Sequence, residues 1–298
     1  MSALFFQLPI YTAGWSNFWS LIKNHLAEAN SANLMLIFTP NPEIIVQVDK
    51  NPALRQVLTE ADYLLPDGVG LLLANRWIRF RQRLLFLTDK FSLSKTTLKQ
   101  RQLIMPAKIS EKMTGIDLAD KLLIEAAKKN YVSLIIGGRN YADFWGKRGG
   151  EYLGEIFEDE KSLIKLKNNL YWTEAYQDKD EPLPIEDQAI EHILKKIKPQ
   201  IVFVALGSLD QEQWLVQWRA RLEEAGVLLA IGVGGSFDLL FGHIARAPQL
   251  IRTLALEWLW RLIQQPWRWR RQLRLLHFFV LMREEAKRWQ KMTKAQLN

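Results

Sequence analysis

Five short apolar runs, each ending abruptly in polar or glycine residues, restrict this chain to very few architectures. They are residues 34–38, 63–65, 132–136, 201–206 and 227–231. Runs this short and this apolar read as strands buried on both faces of a parallel sheet. Stretches with helical spacing lie between them: 16–29 with Phe18, Ile22 and Leu26, then 44–58, a helix from Val69 through Arg76, one running to Lys129, and 185–197. Residues 3–11 read as a first strand. The alternation predicts right-handed βαβ units, and so an α/β fold with a Rossmann-like, mainly parallel sheet flanked by helices.

Open sheets of this kind take ligands outside the carboxyl ends of their strands. The first run delivers Thr39-Pro40-Asn41 and the second Pro66-Asp67-Gly68. Asp67 has two readings. It caps the helix starting near Val69, a position Asp prefers, or it is a carboxylate held between low-dielectric walls that takes a proton from a sugar hydroxyl. Gly137 and Gly138 follow the third run, and Gly232-Val233-Gly234-Gly235-Ser236-Phe237-Asp238 follows the last. Glycine lets the backbone approach a phosphate or sugar closely, and a plain turn explains these residues equally well. The spaced glycines of a dinucleotide fingerprint are absent. Asp117 reads as the cap of its helix, and Trp214, Trp218 and Leu222 have the spacing of core residues.

Several classes fall away. The chain has no cysteine, which excludes disulfides and thiolate metal sites. Its four histidines are scattered without ligand spacing, and no Asp-x-Asp pair is expected near a strand end. A Gly-x-Ser-x-Gly elbow is missing, which argues against hydrolase chemistry. The start of the chain lacks the basic region of a secretory signal, and no apolar run is long enough to span a bilayer. A cytoplasmic protein is expected, with freedom to lie on a membrane surface.

Charge is unevenly placed. From Arg246 onward twelve basic residues face three acidic ones, an excess larger than the net +8 of the whole chain. A near-neutral body with a basic tail points to a local anionic partner and not to nucleic acid. Residues 77–107 are also basic and read as an irregular insertion, and 145–184 as a polar, charge-rich span with a loop at 177–184. In the tail, apolar residues run nearly all round a helix that Pro266 breaks, followed by Trp267-Arg268-Trp269-Arg270-Arg271. Tryptophan mixed with arginine beside an apolar face favours a helix lying among anionic lipid headgroups. A packed helix pair, a dimer interface and a single-strand nucleic-acid platform are the competing readings.

Taken together and in order, the motifs resemble the WecG/TagA/CpsF family of bacterial glycosyltransferases. The matching pieces are Thr39-Pro40-Asn41-Pro42-Glu43, Pro66-Asp67-Gly68-Val69-Gly70, Thr114-Gly115-Ile116-Asp117-Leu118, Leu206-Gly207-Ser208 and Gln211-Glu212-Gln213-Trp214. They continue through the 232–238 loop, Arg246-Ala247-Pro248 and the stretch from Glu257 to Pro266. The resemblance implies inverting transfer of an N-acetylmannosamine-type sugar from a UDP-sugar donor to a polyprenyl-diphosphate-linked amino sugar, at the inner face of the membrane and without a metal or other cofactor. It makes Asp67 the general base, with Thr39 and Asn41 positioning the sugar and Gln211 assisting from the facing loop. Gly234, Gly235, Asp238 and Lys112 fall on the substrate side, Lys112 standing where the family usually has arginine, and Gly137 and Gly138 join them on their own reading as glycines after a strand. Arg261, Arg268 and Arg271 match tail arginines that resemble diphosphate clamps, a task suited to the planar guanidinium. Leu209-Asp210 departs from the family's usual Pro-Lys.

The expected organisation is therefore a catalytic α/β domain over 1–245 and a membrane-associating helical appendage over 246–298. Self-association into a homo-oligomer stays open. The rival is a non-catalytic nucleotide-binding or scaffold protein that docks at membranes through the same tail.

Overall fold

The computed structural model describes residues 2–28, 33–88, 105–138, 163–166, 168–179, 181–253 and 256–297. In chain order the strands are β1 (Ser2–Phe5), β2 (Leu8–Tyr11), β3 (Met35–Phe38), β4 (Tyr63–Leu64), β5 (Ser133–Gly137), β6 (Leu163–Lys165), β7 (Leu170–Thr173), β8 (Ile201–Ala205) and β9 (Leu229–Gly232). They form one sheet in the order β1-β2-β4-β3-β9-β8-β5-β7-β6. Every pairing from β2 to β7 is parallel. Only the edge strands β1 and β6 run antiparallel to their neighbours. The α/β, mainly parallel sheet expected from the apolar runs is present.

The helices are α1 (Trp15–Ala27), α2 (Pro42–Lys50), α3 (Pro52–Thr59), α4 (Val69–Thr88), α5 (Gly115–Lys129), α6 (Pro184–Ile197), α7 (Asp210–Gln217), α8 (Arg219–Glu224) and α9 (Ser236–Leu240). The tail adds α10 (Gln249–Thr253), α11 (Glu257–Gln264), a 3-10 turn (Pro266–Arg268) and α12 (Trp269–Leu297). Strand side chains alternate between two cores, as the two-residue period of a strand requires. Leu36 and Phe38 of β3 join Val202 and Val204 of β8 on one face. Met35 and Ile37 join Ile201 and Phe203 on the other.

Five local readings need correction. Residues 3–11 are not one strand but the β1–β2 hairpin, turned by Phe6 and Gln7 at φ of 51° and 61°. The segment 77–107 is not irregular throughout. Its first part continues α4 to Thr88, because Ile78 and Gln82 are fully buried and keep that helix against the body. Residues 89–104 lie outside the described part. The span 145–184 contains strands β6 and β7, so Asp178-Lys179-Asp180 follows a strand by a few residues. Finally, Thr114 and not Asp117 caps α5, its Oγ1 accepting the Asp117 amide at 3.2 Å. The stretch 44–58 is also two helices, each started by an Asn-Pro pair whose Asn side chain caps it.

The last helix is anchored in the core. Phe278, Leu281 and Ala286 of α12 are buried in the cluster that covers one sheet face, and α12 packs against α2 and α4. Glu285 of α12 accepts the Phe6 amide at 3.2 Å and so ties the helix to the hairpin turn. Phe278 stacks near Phe6 with ring centroids 5.3 Å apart. Replacing it by alanine, Phe278→Ala, is expected to lower the unfolding free energy in urea by about 3 kcal/mol. A loss below about 1 kcal/mol would contradict this anchoring.

Candidate active site

A cavity of about 410 Å³ opens at the carboxyl ends of the central strands. Strand β3 feeds it Thr39 and Asn41, β4 feeds Asp67, β8 feeds Gly207, Ser208 and Gln211, and β9 feeds Gly234 and Gly235. From β3 the chain goes to β4 on one side, while β9 and β8 lie on the other. The cavity therefore sits at the reversal of strand order, where open α/β sheets bind ligands.

Backbone bonds fix the loop that carries Asp67. The Leu65 amide donates to Phe38 O at 2.8 Å, the Asp67 amide to Pro40 O at 3.0 Å, and the Met113 amide to Pro66 O at 2.9 Å. Helix α4 begins at Val69, which leaves Gly68 directly before its first residue and Asp67 one place further out. Burial pushes the Asp67 carboxyl up to about 7. The Gly68 amide bond works against that rise, the nearby Glu257 adds to it, and Arg261 and Lys112 lower it. Asp67 is thus a group near neutral pKa facing an open cavity, which suits proton transfer.

The other side chains divide between the cavity and its support. Asn41 lines the cavity, but its Oδ1 accepts the Ile44 amide at 3.1 Å as the cap of α2. Thr39 is nearly buried beside Gly115, where an added Cβ would come within 3.1 Å of its Oγ1. Gln211 is committed at both ends of its amide. Its Oε1 accepts the Gly234 amide at 2.7 Å and its Nε2 donates to Glu212 Oε1 at 2.9 Å. A Cβ on Gly232 would lie 2.8 Å from Gln211 Nε2, so that glycine is what lets Gln211 lie under the loop. Arg261 reaches across from α11 and donates from Nη2 to Gly235 O at 3.2 Å. Gly138, Gly234, Gly235, Asp238 and Arg261 all line the cavity.

Two expected residues stand elsewhere. Lys112 does not line the cavity; its Nζ pairs with Glu257 Oε2 at 2.8 Å, an ion pair that holds α11. Gly137 is also behind the wall, its carbonyl accepting the Trp172 indole at 3.0 Å. The side chains of Arg268 and Arg271 lie outside the described part. Asp210 pairs with Lys179 away from the cavity lining, so the Leu209-Asp210 departure adds no free anion there. Leu209 has φ 73° and donates its amide to Glu212 Oε2 at 2.6 Å, a conformation and a bond that proline cannot supply.

Residues passed over in the sequence also reach the cavity: Glu43, Glu212, Gln265 and Trp267. Glu212 is fully buried and its carboxyl is likewise pushed up to about 7 by burial. Both its oxygens already accept hydrogen bonds, which marks it as a brace for the loop. The available signal was a carboxylate at the third position of a helix, beside a glycine turn. Among the described residues no three His, Cys, Asp or Glu side chains converge to hold a metal ion.

Comparison with known proteins adds a further finding. The model of the Glycosyl transferase WecG/TagA/CpsF family matches residues 4–93 and 100–292. A protein of Bacillus subtilis (strain 168) is 25% identical over 281 residues, covering 94% of this chain and 91% of that protein. One of Staphylococcus aureus (strain MW2) is 24% identical over 274 residues, covering 92% and 88%. Both bear the name N-acetylglucosaminyldiphosphoundecaprenol N-acetyl-beta-D-mannosaminyltransferase.

The raised Asp67 pKa has a measurable consequence for stability. A carboxyl whose pKa is higher folded than unfolded favours the native state while protonated. That contribution is complete below the unfolded value near 3.8 and is lost as pH rises through about 7. Asp67→Asn stays neutral throughout. Its melting temperature relative to the parent protein should rise steadily from pH 4 to pH 7 and then level off; a gap independent of pH would contradict the burial.

Proposed function

The chain belongs to the WecG/TagA/CpsF family of glycosyltransferases, and from that premise we propose that it moves an N-acetylmannosamine-type sugar from a UDP donor to a polyprenyl-diphosphate-linked amino sugar. The observation that carries this reading is Asp67: a half-buried carboxyl with a pKa near 7 in the same cavity as Arg261 and the glycine loop. The names of the relatives supply the acceptor class and the sugar.

The reaction is a single displacement. The acceptor hydroxyl attacks the anomeric carbon, its proton passes to Asp67, and the bond to UDP breaks with its electron pair leaving on the diphosphate. One in-line attack inverts the anomeric centre, which from an α-linked donor gives the β-linkage in the relatives' names. The departing diphosphate needs positive charge, and in this scheme Arg261, which lines the cavity and donates to Gly235 O, supplies it. Partial protonation of Asp67 and Glu212 lowers the negative charge that the diphosphate meets near neutral pH. Asp67 is preferred to Glu212 as the base because both oxygens of Glu212 are occupied by loop contacts. Charge compensation by Arg261 makes a metal ion unnecessary in this scheme.

The acceptor is lipid-borne, so the protein works at a membrane, on this reading at its inner face. No described helix is long and apolar enough to cross one. Exposed Ile263, Trp267, Trp269 and Leu276 of the tail, interleaved with arginines, suit docking among anionic headgroups.

With a UDP-N-acetylmannosamine donor and a lipid-diphosphate acceptor, kcat/KM should rise through an apparent pKa of about 7, the free-enzyme value of the base. Asp67→Asn should cut kcat about 100-fold or more while binding UDP as tightly as the parent protein, and chelators should leave turnover unchanged. Full turnover in Asp67→Asn would remove the base from this scheme, and loss of turnover in EDTA would remove its metal independence.

A further inference from the structure

Helix α4 carries a surface that, among the described residues, lines no part of the cavity and lies opposite the side packed on the body. Its inner side, with Leu71, Ala74, Ile78 and Gln82, is fully buried against the body. Its outer side repeats at 73, 76, 77, 80, 83 and 84, which are neighbours on one helical face. Leu73, Phe80 and Leu84 there are 55%, 58% and 43% exposed. Arg76 and Arg83 stand between them in solvent, and Arg81 lies over the Trp77 ring at 5.1 Å. The twenty residues of α4 contain four arginines and no acidic residue.

We propose that this face of α4 is a second membrane contact, binding anionic lipid headgroups through Arg76 and Arg83 while Leu73, Phe80 and Leu84 enter the acyl boundary. The composition selects the occupant. Apolar side chains on one helical stripe, interleaved with arginine and with no acid to balance them, match an anionic lipid surface. Packing of this stripe on a second copy across a two-fold axis would bring Arg76 and Arg83 toward their own counterparts with no acid on the helix to pair them.

The position on the fold gives the contact a purpose. Helix α4 starts two residues after Asp67, and Leu73 lies one turn further on. A headgroup-bound α4 would fix the height of the Asp67 loop above the bilayer. Buried polar contacts also join it to α12, with Gln82 donating to Ala286 O and accepting from Thr293 Oγ1. The two helices therefore settle on a membrane as one unit. This extends the docking proposed for the tail, and its test reads vesicle binding, so it stands or falls independently of the transfer reaction.

The chain has no cysteine, so Phe80→Cys labelled with an environment-sensitive fluorophore reports on this face alone. With vesicles of equal parts phosphatidylglycerol and phosphatidylcholine its emission should shift to the blue and strengthen, with no change on phosphatidylcholine alone. Arg76→Gln with Arg83→Gln in the full chain, folded by circular dichroism, should partition onto the mixed vesicles about tenfold more weakly. The proposal fails if the labelled protein floats with the vesicles while its emission stays constant. It fails equally if the emission change follows protein concentration without lipid, which would make the face a contact between copies, or if the double variant partitions like the parent protein.

Discussion

A carboxyl group partly withdrawn from bulk water beyond the carboxyl end of an inner strand is the constraint on which the rest of this molecule turns. Asp67 sits where β4 ends, and the Asp67–Pro40 and Leu65–Phe38 backbone bonds lock its loop to the loop after β3. Because the backbone spends its hydrogen bonds on neighbouring loops, the side chain has a fixed position at the cavity wall. Desolvation then outweighs the Gly68 amide and the two nearby cations, and the carboxyl becomes basic enough to hold a proton near neutral pH. An aspartate in open solvent would be a poor base for an alcohol.

The walls opposite Asp67 are held by different means. On the β8–β9 side, Glu212 and Gln211 form a buried relay to Leu209 and Gly234 that shapes two loops at once. On the tail side, α11 buries no residue of its own. Polar contacts hold it instead: Lys112 to Glu257, Arg261 to Gly235, and the Gln264 amide exchanging two bonds with Ala245. Apolar burial resumes in α12, where Phe278 and Leu281 enter the core. The segment that brings Arg261 to the cavity is thus clasped by charge and hydrogen bonds between two firmly packed parts.

Much of this was legible in the chain because fully buried parallel strands have a strong signature. The runs before Thr39, Asp67, Gly138, Gly207 and Val233 became β3, β4, β5, β8 and β9, and their polar ends meet at one cavity. The edges of the sheet were harder. The β1–β2 turn uses Phe6 and Gln7 at positive φ, with neither glycine nor asparagine to announce it. Strands β6 and β7 are short and lie among charged residues, although Asn168 and Asn169, at φ of 58° and 56°, carried the turn signal. Arginines in α4 suggested an irregular excursion, whereas Arg76 and Arg83 mark its outer face and Arg79 reaches the Pro106 carbonyl. Spacing could not tell whether Lys112 points at the cavity or at Glu257, since that depends on where α11, some 145 residues later, comes to lie. Glu212 was hidden for a similar reason: its role depends on a left-handed Leu209 that no propensity predicts.

The most direct test is to titrate the Asp67 carboxyl itself, following its side-chain carbon by NMR in protein labelled with 13C-aspartate and assigned with Asp67→Asn. A midpoint near 7 is the result this account predicts. A midpoint near 4, the ordinary value of a solvated aspartate, would contradict it.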